Sequence, residues 1–324
     1  MRLLKVLGWS ILAVTSVIVL CASSTFLYLS PQLPDVQSLR DIQLQEPLQV
    51  LSADGKLIAE FGEIRRIPLP YSQIPSDFLA AFMAAEDANF YHHSGVDPTG
   101  LLRAALELVR SGHVRSGGST ITMQVAKNFF LSKERTFTRK LTEILLALQI
   151  ERTLSKDEIF NLYVNKIYLG KRAYGIAAAA QIYYAKPVSQ LTLAQTAMIA
   201  GLPKAPSRFN PINNPSRAKQ RRDWILGRML ALGSINEARY HAALKEPITA
   251  RYHAPETEVL APYIAEMARA YVLDRFGDQA YTQGFRVVTT VSSSLQQAAN
   301  AALLKGLKTY DKRHGYRGSG GGHQ

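Results

Sequence analysis

A mainly α-helical domain behind a membrane-spanning segment is the fold class this sequence of 324 residues predicts. Three observations carry it. Uncharged residues run unbroken from Val6 to Leu29, enough for the roughly 20 apolar residues that cross a bilayer core. Capping-box spacings recur at Ser155–Glu158, Thr192–Gln195 and Ser234–Glu237, each at the opening of a helical run. Between Ser76 and Glu246 strand and helix signals do not alternate, which argues against a parallel α/β architecture there.

Taken in order, Arg2 and Lys5 precede the apolar run. They predict a cytoplasmic stub and an uncleaved signal anchor over 1–30, with everything after Ser30 outside the inner membrane. A secretory signal usually has a shorter apolar region of about 7 to 15 residues. The small residues Cys21-Ala22-Ser23-Ser24 leave cleavage as the alternative. Cys21 is the only cysteine, so no disulfide or cysteine metal site forms within one chain. Residues 31–75 read as a proline-punctuated linker followed by a hairpin, with Leu48–Ser52 and Lys56–Phe61 flanking Ala53-Asp54-Gly55. Ser76 is placed to cap the run that ends at Glu86, and Asp97 with Pro98 opens the next helix, Thr99 to Ser111. Farther on, Leu141, Ile144, Leu145 and Leu148 form a core-facing stripe at helical spacing, with Glu143 off it. A basic, aromatic turn, Tyr168 to Gly175, leads into the small-residue helix Ile176 to Ala180. The helical domain is bounded at 76–246. Composition shifts at Pro247, where a helix over Pro262–Phe276, a β-branched strand over Phe285–Val291 and a helix over Leu295–Leu307 make an incomplete α/β segment, 247–324.

The net charge of +13 predicts a polyanionic partner. Outside the membrane that partner is a lipid headgroup or a lipid-linked anionic substrate, and not nucleic acid; a basic surface resting on anionic lipid is the plainer reading. Candidate chemistry concentrates at Glu86–Asp97, which holds three acidic groups, two histidines and two aromatic rings after an apolar helix. A carboxylate there costs desolvation and so has partners or a task, unless the stretch is a solvated turn. Gly117-Gly118-Ser119-Thr120 opens a helix, either as a plain turn or as an amide cradle for an anion. Thr120, Gln124 and Lys127 then share a face. Arg139 lies one turn before Glu143, as in a surface ion pair or in a site. His93 is read equally as a site residue or as a satisfied core histidine.

Five motifs stand in order: Glu86-Asp87 with Phe90, His93 and Gly95; Gly117 to Thr120 with Gln124, Lys127 and Asn128; Arg139-Lys140 with Glu143; Leu162-Tyr163-Val164-Asn165 continuing to Tyr168-Leu169-Gly170; and Arg172-Ala173-Tyr174-Gly175 leading to Tyr184. Together they resemble the glycosyltransferase domain of class A penicillin-binding proteins, most closely the Gram-negative 1A type of that class. The resemblance reaches from the anchor to about Arg317. It implies a lysozyme-like, two-lobed helical fold, single-pass anchorage in the bacterial inner membrane with the domain in the periplasm, and polymerisation of lipid II into β-1,4-linked glycan strands. Under it, Glu86 matches the general base and Glu143 the acidic residue that assists the leaving group, directly or through a divalent cation. Lys127, Arg139 and Arg172 would steady pyrophosphate. Asp87, Phe90 and His93 would shape the first motif, and Gly118, Ser119, Thr120, Gln124, Asn128, Lys140 and Lys166 complete the substrate-binding set. No cofactor is required by it for certain; Mg2+ or Mn2+ would sit at Glu143 if a metal takes part. Implied partners are lipid II, the growing lipid-linked strand, inner-membrane lipids, and cell-wall synthesis regulators or a second copy. Phe129 and Phe130 are expected to dip toward the bilayer.

The chain departs from that class at its carboxyl end. Ser216-Arg217-Ala218-Lys219 has the spacing of a transpeptidase nucleophile motif but falls inside the helical domain, and Lys308-Thr309 is followed by Tyr310 instead of glycine. The transpeptidase domain is therefore expected to be missing, and Ser319 to Gln324 to be non-native. Two rival functions share these residues: a lysozyme-like lytic transglycosylase or muramidase, and a membrane-tethered glycan-binding scaffold.

Overall fold

The computed structural model describes residues 26–315 except 41, 43, 63, 112–117, 133–135 and 254–256, together with 9, 12, 13, 15–17, 20, 23 and 24. Much of the predicted anchor, Gly117 and the tail Ser319–Gln324 lie outside the described residues. Those described between 9 and 29 are helical, and Trp9, Leu12, Val17, Leu20 and Phe26 are exposed. Among the described residues no helix is long and apolar enough to cross a membrane.

Eleven helices follow among the described residues: α1 Ser76–Glu86, α2 Pro98–Ser111, α3 Ile121–Phe130, α4 Phe137–Thr153, α5 Lys156–Lys166, α6 Ile176–Tyr184, α7 Leu193–Ala200, α8 Pro215–Ala231, α9 Glu237–Lys245, α10 Pro262–Phe276 and α11 Ser293–His314. The mainly helical class is thus found. α1 and α3 to α9 share one apolar core, centred on Phe78, Phe82, Phe90, Phe160 and Tyr163. Phe82 meets Phe160 and Tyr163 edge to face, with centroids 6.2 and 5.6 Å apart, the geometry in which ring quadrupoles attract. The all-alanine run of α6 is fully within this core, so small side chains serve close helix packing.

Capping chemistry places most helix starts. Ser155 and Thr192 form complete capping boxes with Glu158 and Gln195, and Asp97 accepts from the Thr99 amide at 2.9 Å with Pro98 first in α2. Two expectations fail. Ser76 is itself the first residue of α1, after Pro75, and makes no cap bond. Ser234 opens no box: its amide closes the end of α8 on the Met229 carbonyl, beside Gly233 at φ +71°, and Asn236 caps α9 instead. Ser234 belongs to the helix end that Gly233 turns, and the cap of the next helix falls two residues later.

The hairpin forms as predicted, β1 Leu48–Leu51 against β2 Leu57–Phe61, with Gly55 at φ +80° in the turn. A two-residue strand β3, Arg65–Arg66, pairs parallel with β4, Ala173–Tyr174. β5, Arg286–Val288, joins β1 in parallel and gives the sheet order β2-β1-β5. α10 covers that sheet through Ala265 and Val272, in two apolar clusters separate from the main core. Hairpin and carboxyl-terminal segment, distant in sequence, are therefore one packed unit.

Candidate active site

Glu86 is the last residue of α1, and its carboxylate reaches a cavity of about 1000 Å³ with a side chain 13% exposed. Gln124 Nε2 donates to Glu86 Oε2 at 2.9 Å from α3, and Arg221 Nη2 from α8 stands 3.8 Å from Oε1. Burial pushes the Glu86 pKa up, opposed by the Gln124 hydrogen bond and by the charges of Arg221, Lys204 and Lys127. Gly118, Ser119, Thr120 and Asp87 line the same cavity, together with Arg103, Lys204, Trp224 and Arg228.

Behind Glu86 the first motif is a frame. Asp87, buried, accepts from His93 Nε2 at 2.9 Å and from the Ile121 amide at 3.0 Å. The Gly95 amide donates to His93 Nδ1 at 3.1 Å. That bond leaves Nε2 as the ring's donor to Asp87, so His93 is a satisfied core histidine. Phe90 is fully buried, with Lys156 Nζ 4.5 Å from its ring centroid. Thr120 donates its hydroxyl to the Gly95 carbonyl at 2.6 Å and accepts from the Met123 amide at 3.1 Å. At the start of α3 the Ile121 and Met123 amides are taken by Asp87 and Thr120, so the first anion this helix end holds is the protein's own carboxylate.

Glu143 is only 2% exposed, which rules out an ordinary surface pair. The core-facing stripe of α4 differs from the predicted one: Glu143, Leu146, Ala147 and Ile150 face inward, whereas Leu141 and Leu148 are exposed. Apolar residues surround α4 on nearly every side, so periodicity left the buried face open and neighbouring helices chose it. On that face Lys140 Nζ meets Glu143 Oε1 at 2.6 Å and Arg139 Nη1 meets Oε2 at 3.5 Å. Lys140 also donates to Ser119 Oγ at 2.7 Å, which links this cluster to the Glu86 cavity. Lys127 feels both carboxylates; burial, first, and then neighbouring Lys140 and Arg139 lower its pKa, while Glu143 and Glu86 raise it. Both oxygens of Glu143 are engaged by Lys140 and Arg139, so a Mg2+ or Mn2+ ion held there would have to displace one of these cations.

The remaining predicted residues lie elsewhere. Asn128 is half-buried on α3. Lys166 sits at the end of α5, 4.7 Å over the Phe129 ring, with its pKa lowered by burial and then by Arg66. Phe129 and Phe130 pack partly buried against the core. Arg172 is exposed in the turn before β4, where Gly170, Lys171 and Arg172 all have positive φ; it does not line the Glu86 cavity. The sequence reading missed Arg103, Lys204, Arg221, Trp224 and Arg228. The Arg221-Arg222 pair sits in a helix with three other cations, Arg217, Lys219 and Arg228, where nothing in the sequence sets it apart, yet both arginines are buried. Ser216 and Lys219 lie on α8, where Lys219 pairs with Asp223 at 2.6 Å.

Comparison with known proteins adds a family. A family model described as Transglycosylase matches residues 54–230. Penicillin-binding protein 1A of Pseudomonas aeruginosa is 61% identical over 318 residues, 98% of this chain and 39% of its own. Its counterpart from Escherichia coli is 54% identical over 291 residues, 90% of this chain and 34% of its own. The chain therefore spans well under half the length of these curated relatives. The crystal structure of penicillin-binding protein 1A from Haemophilus influenzae is 37% identical, covering 86% of this chain and 32% of that one, at a TM-score of 0.47.

Proposed function

This chain belongs to the transglycosylase family, and we propose that it is a peptidoglycan glycosyltransferase that polymerises lipid II in cell-wall synthesis. One observation carries the proposal: a largely buried carboxylate, Glu86, faces a cavity whose walls bring in Arg103, Lys204, Arg221 and Arg228. Base and cations together suit attack of a sugar hydroxyl on a carbon that carries pyrophosphate.

In this reading Glu86 takes the proton of the acceptor N-acetylglucosamine 4-hydroxyl. The oxygen attacks the anomeric carbon of the N-acetylmuramic acid at the reducing end of the growing strand. The carbon–oxygen bond to pyrophosphate breaks as the new bond forms, so the α-linked donor becomes a β-1,4 product and undecaprenyl pyrophosphate leaves with the electron pair. Glu143 acts through Arg139 and Lys140, which it holds at 3.5 and 2.6 Å for the leaving phosphates. Gln124 keeps Glu86 aimed, and Lys127 interacts electrostatically with both carboxylates. Lys166 and Arg172 are assigned to the more distant phosphate or lipid. The segment 6–29 is taken as the anchor and the domain as periplasmic. Support comes from the charge of +13 and from the exposed Leu102, Leu106, Leu141 and Leu148 on α2 and α4.

A lytic reading, in which a protonated Glu86 donates to a glycosidic oxygen, draws on the same upward pKa shift. The surrounding cations favour the pyrophosphate substrate instead. Labelled lipid II incubated with the full chain in detergent separates the two. Glycan strands from the parent and none from folded Glu86→Gln are expected; fragments released from preformed strands, or a folded parent that makes no strands, would overturn the proposal.

A further inference from the structure

We propose that Arg221 is a positioning residue for Glu86, held against the carboxylate by the Trp224 ring and by the space that Gly201 leaves. The inference rests on Glu86 as the base and adds what keeps that base in place.

Arg221 leaves α8 and runs under the end of α7. A β-carbon at Gly201 would stand 2.9 Å from Arg221 Cγ, so a side chain there would displace the arginine stem. On the other side the guanidinium stacks over Trp224 with its carbon 4.3 Å from the ring centroid. Nη2 donates to the Ala85 carbonyl at 3.2 Å and faces Glu86 Oε1 at 3.8 Å. Among the described residues Arg221 is the one cation within ion-pair distance of Glu86. Gln124 and Lys127 approach Glu86 from α3, Lys204 from the segment after α7 and Tyr163 from α5, with Asp87 beside it. Arg221 Nε is buried without a hydrogen-bond partner, so satisfied hydrogen bonds alone do not explain why the side chain is there. A guanidinium stays charged throughout any assay range, and its planar group is set by the Trp224 ring. It therefore offers the buried carboxylate a permanent counter-charge.

A purely structural arginine would cap the Ala85 carbonyl and do nothing else, and pH separates the two roles. The full chain in detergent is assayed for lipid II polymerisation from pH 5 to 9 as the parent, Arg221→Gln, Arg221→Lys and Trp224→Leu, with melting temperatures alongside. Loss of the charge is expected to move the acidic limb of kcat upward by about one pH unit, a roughly tenfold loss on that limb, with recovery at alkaline pH. Arg221→Lys should return most of the shift, and Trp224→Leu should show a smaller shift of the same sign. An unmoved limb in folded Arg221→Gln overturns the inference. Titration of the Glu86 carboxyl carbon by NMR, identified by its absence in Glu86→Gln, reads the same shift without turnover. A parent that makes no strands would thus sink the proposed function, while the NMR titration still decides the role of Arg221. Should Arg221→Gln fail to fold, Trp224→Leu carries both measurements, and no shift in either overturns the inference.

Discussion

At Gly95 a β-carbon would meet the Ala147 carbonyl oxygen at 2.6 Å, and φ is +91°, a backbone region that residues with side chains rarely adopt. The first motif thus needs a glycine because it presses on α4. Gly95→Ala is expected to destabilise by about 1–3 kcal/mol and, since the Gly95 carbonyl holds Thr120, to slow polymerisation as well. A melting temperature equal to the parent's would refute the packing argument. Glu86 behaves in the opposite way. Burial raises its pKa above the ordinary 4.5, so the folded state binds this proton more tightly than the unfolded state does. Its contribution to stability is complete below that value and is lost as pH rises through the raised one. Glu86→Gln, which cannot ionise, should therefore melt higher than the parent at pH 7, by about 1 kcal/mol, with the gain gone at pH 4. A variant that is less stable at pH 7 would show that the ion pair with Arg221 outweighs desolvation. Glu86 could be singled out from sequence because a carboxylate ending an apolar helix is anomalous. Arg221 could not, because an arginine among other cations on a helix is ordinary until its burial is known.

Helix α5 shows how an element positions others. Asn165 accepts from the Leu69 amide at 2.9 Å and donates to the Leu69 carbonyl at 2.9 Å, clasping the segment between β3 and α1 as a strand would. Removing it strands two backbone groups, and Asn165→Ala is expected to cost about 2–3 kcal/mol, read by urea unfolding; a loss under half of that would mean water replaces the clasp. Ser155→Ala breaks the capping box at the other end of the helix and should cost about 1 kcal/mol, with activity kept. Caps of this kind were legible because they are local: Ser155, Thr192 and Asp97 need only their own next few residues. The inward face of α4 was not legible. Its leucines satisfy more than one stripe, and the choice that buries Glu143 depends on α3 and α5 packing against it.

The whole molecule joins ends far apart in the chain. β1 is the central strand of β2-β1-β5, and the Asp54 carboxylate in the hairpin turn accepts from the Ser293 amide at 3.0 Å, capping α11. Truncation after Glu246 would remove β5 and α10, leave one edge of β1 unpaired and uncover Val50 and Ile58. Such a fragment is expected to express poorly or aggregate, and a soluble, monomeric one would show that the sheet is dispensable. The sequence by itself determined the helical class, the hairpin, most caps and the ordered motifs, because these depend on spacing within one element. Only the tertiary structure decided that the Asp87 carboxylate takes the first amide of α3, that Glu143 is locked between Arg139 and Lys140, that Arg221 stands against Glu86, and that the hairpin shares a sheet with β5. Burial and long-range pairing are sums over neighbours from distant segments, and no local pattern along the chain encodes which neighbour arrives.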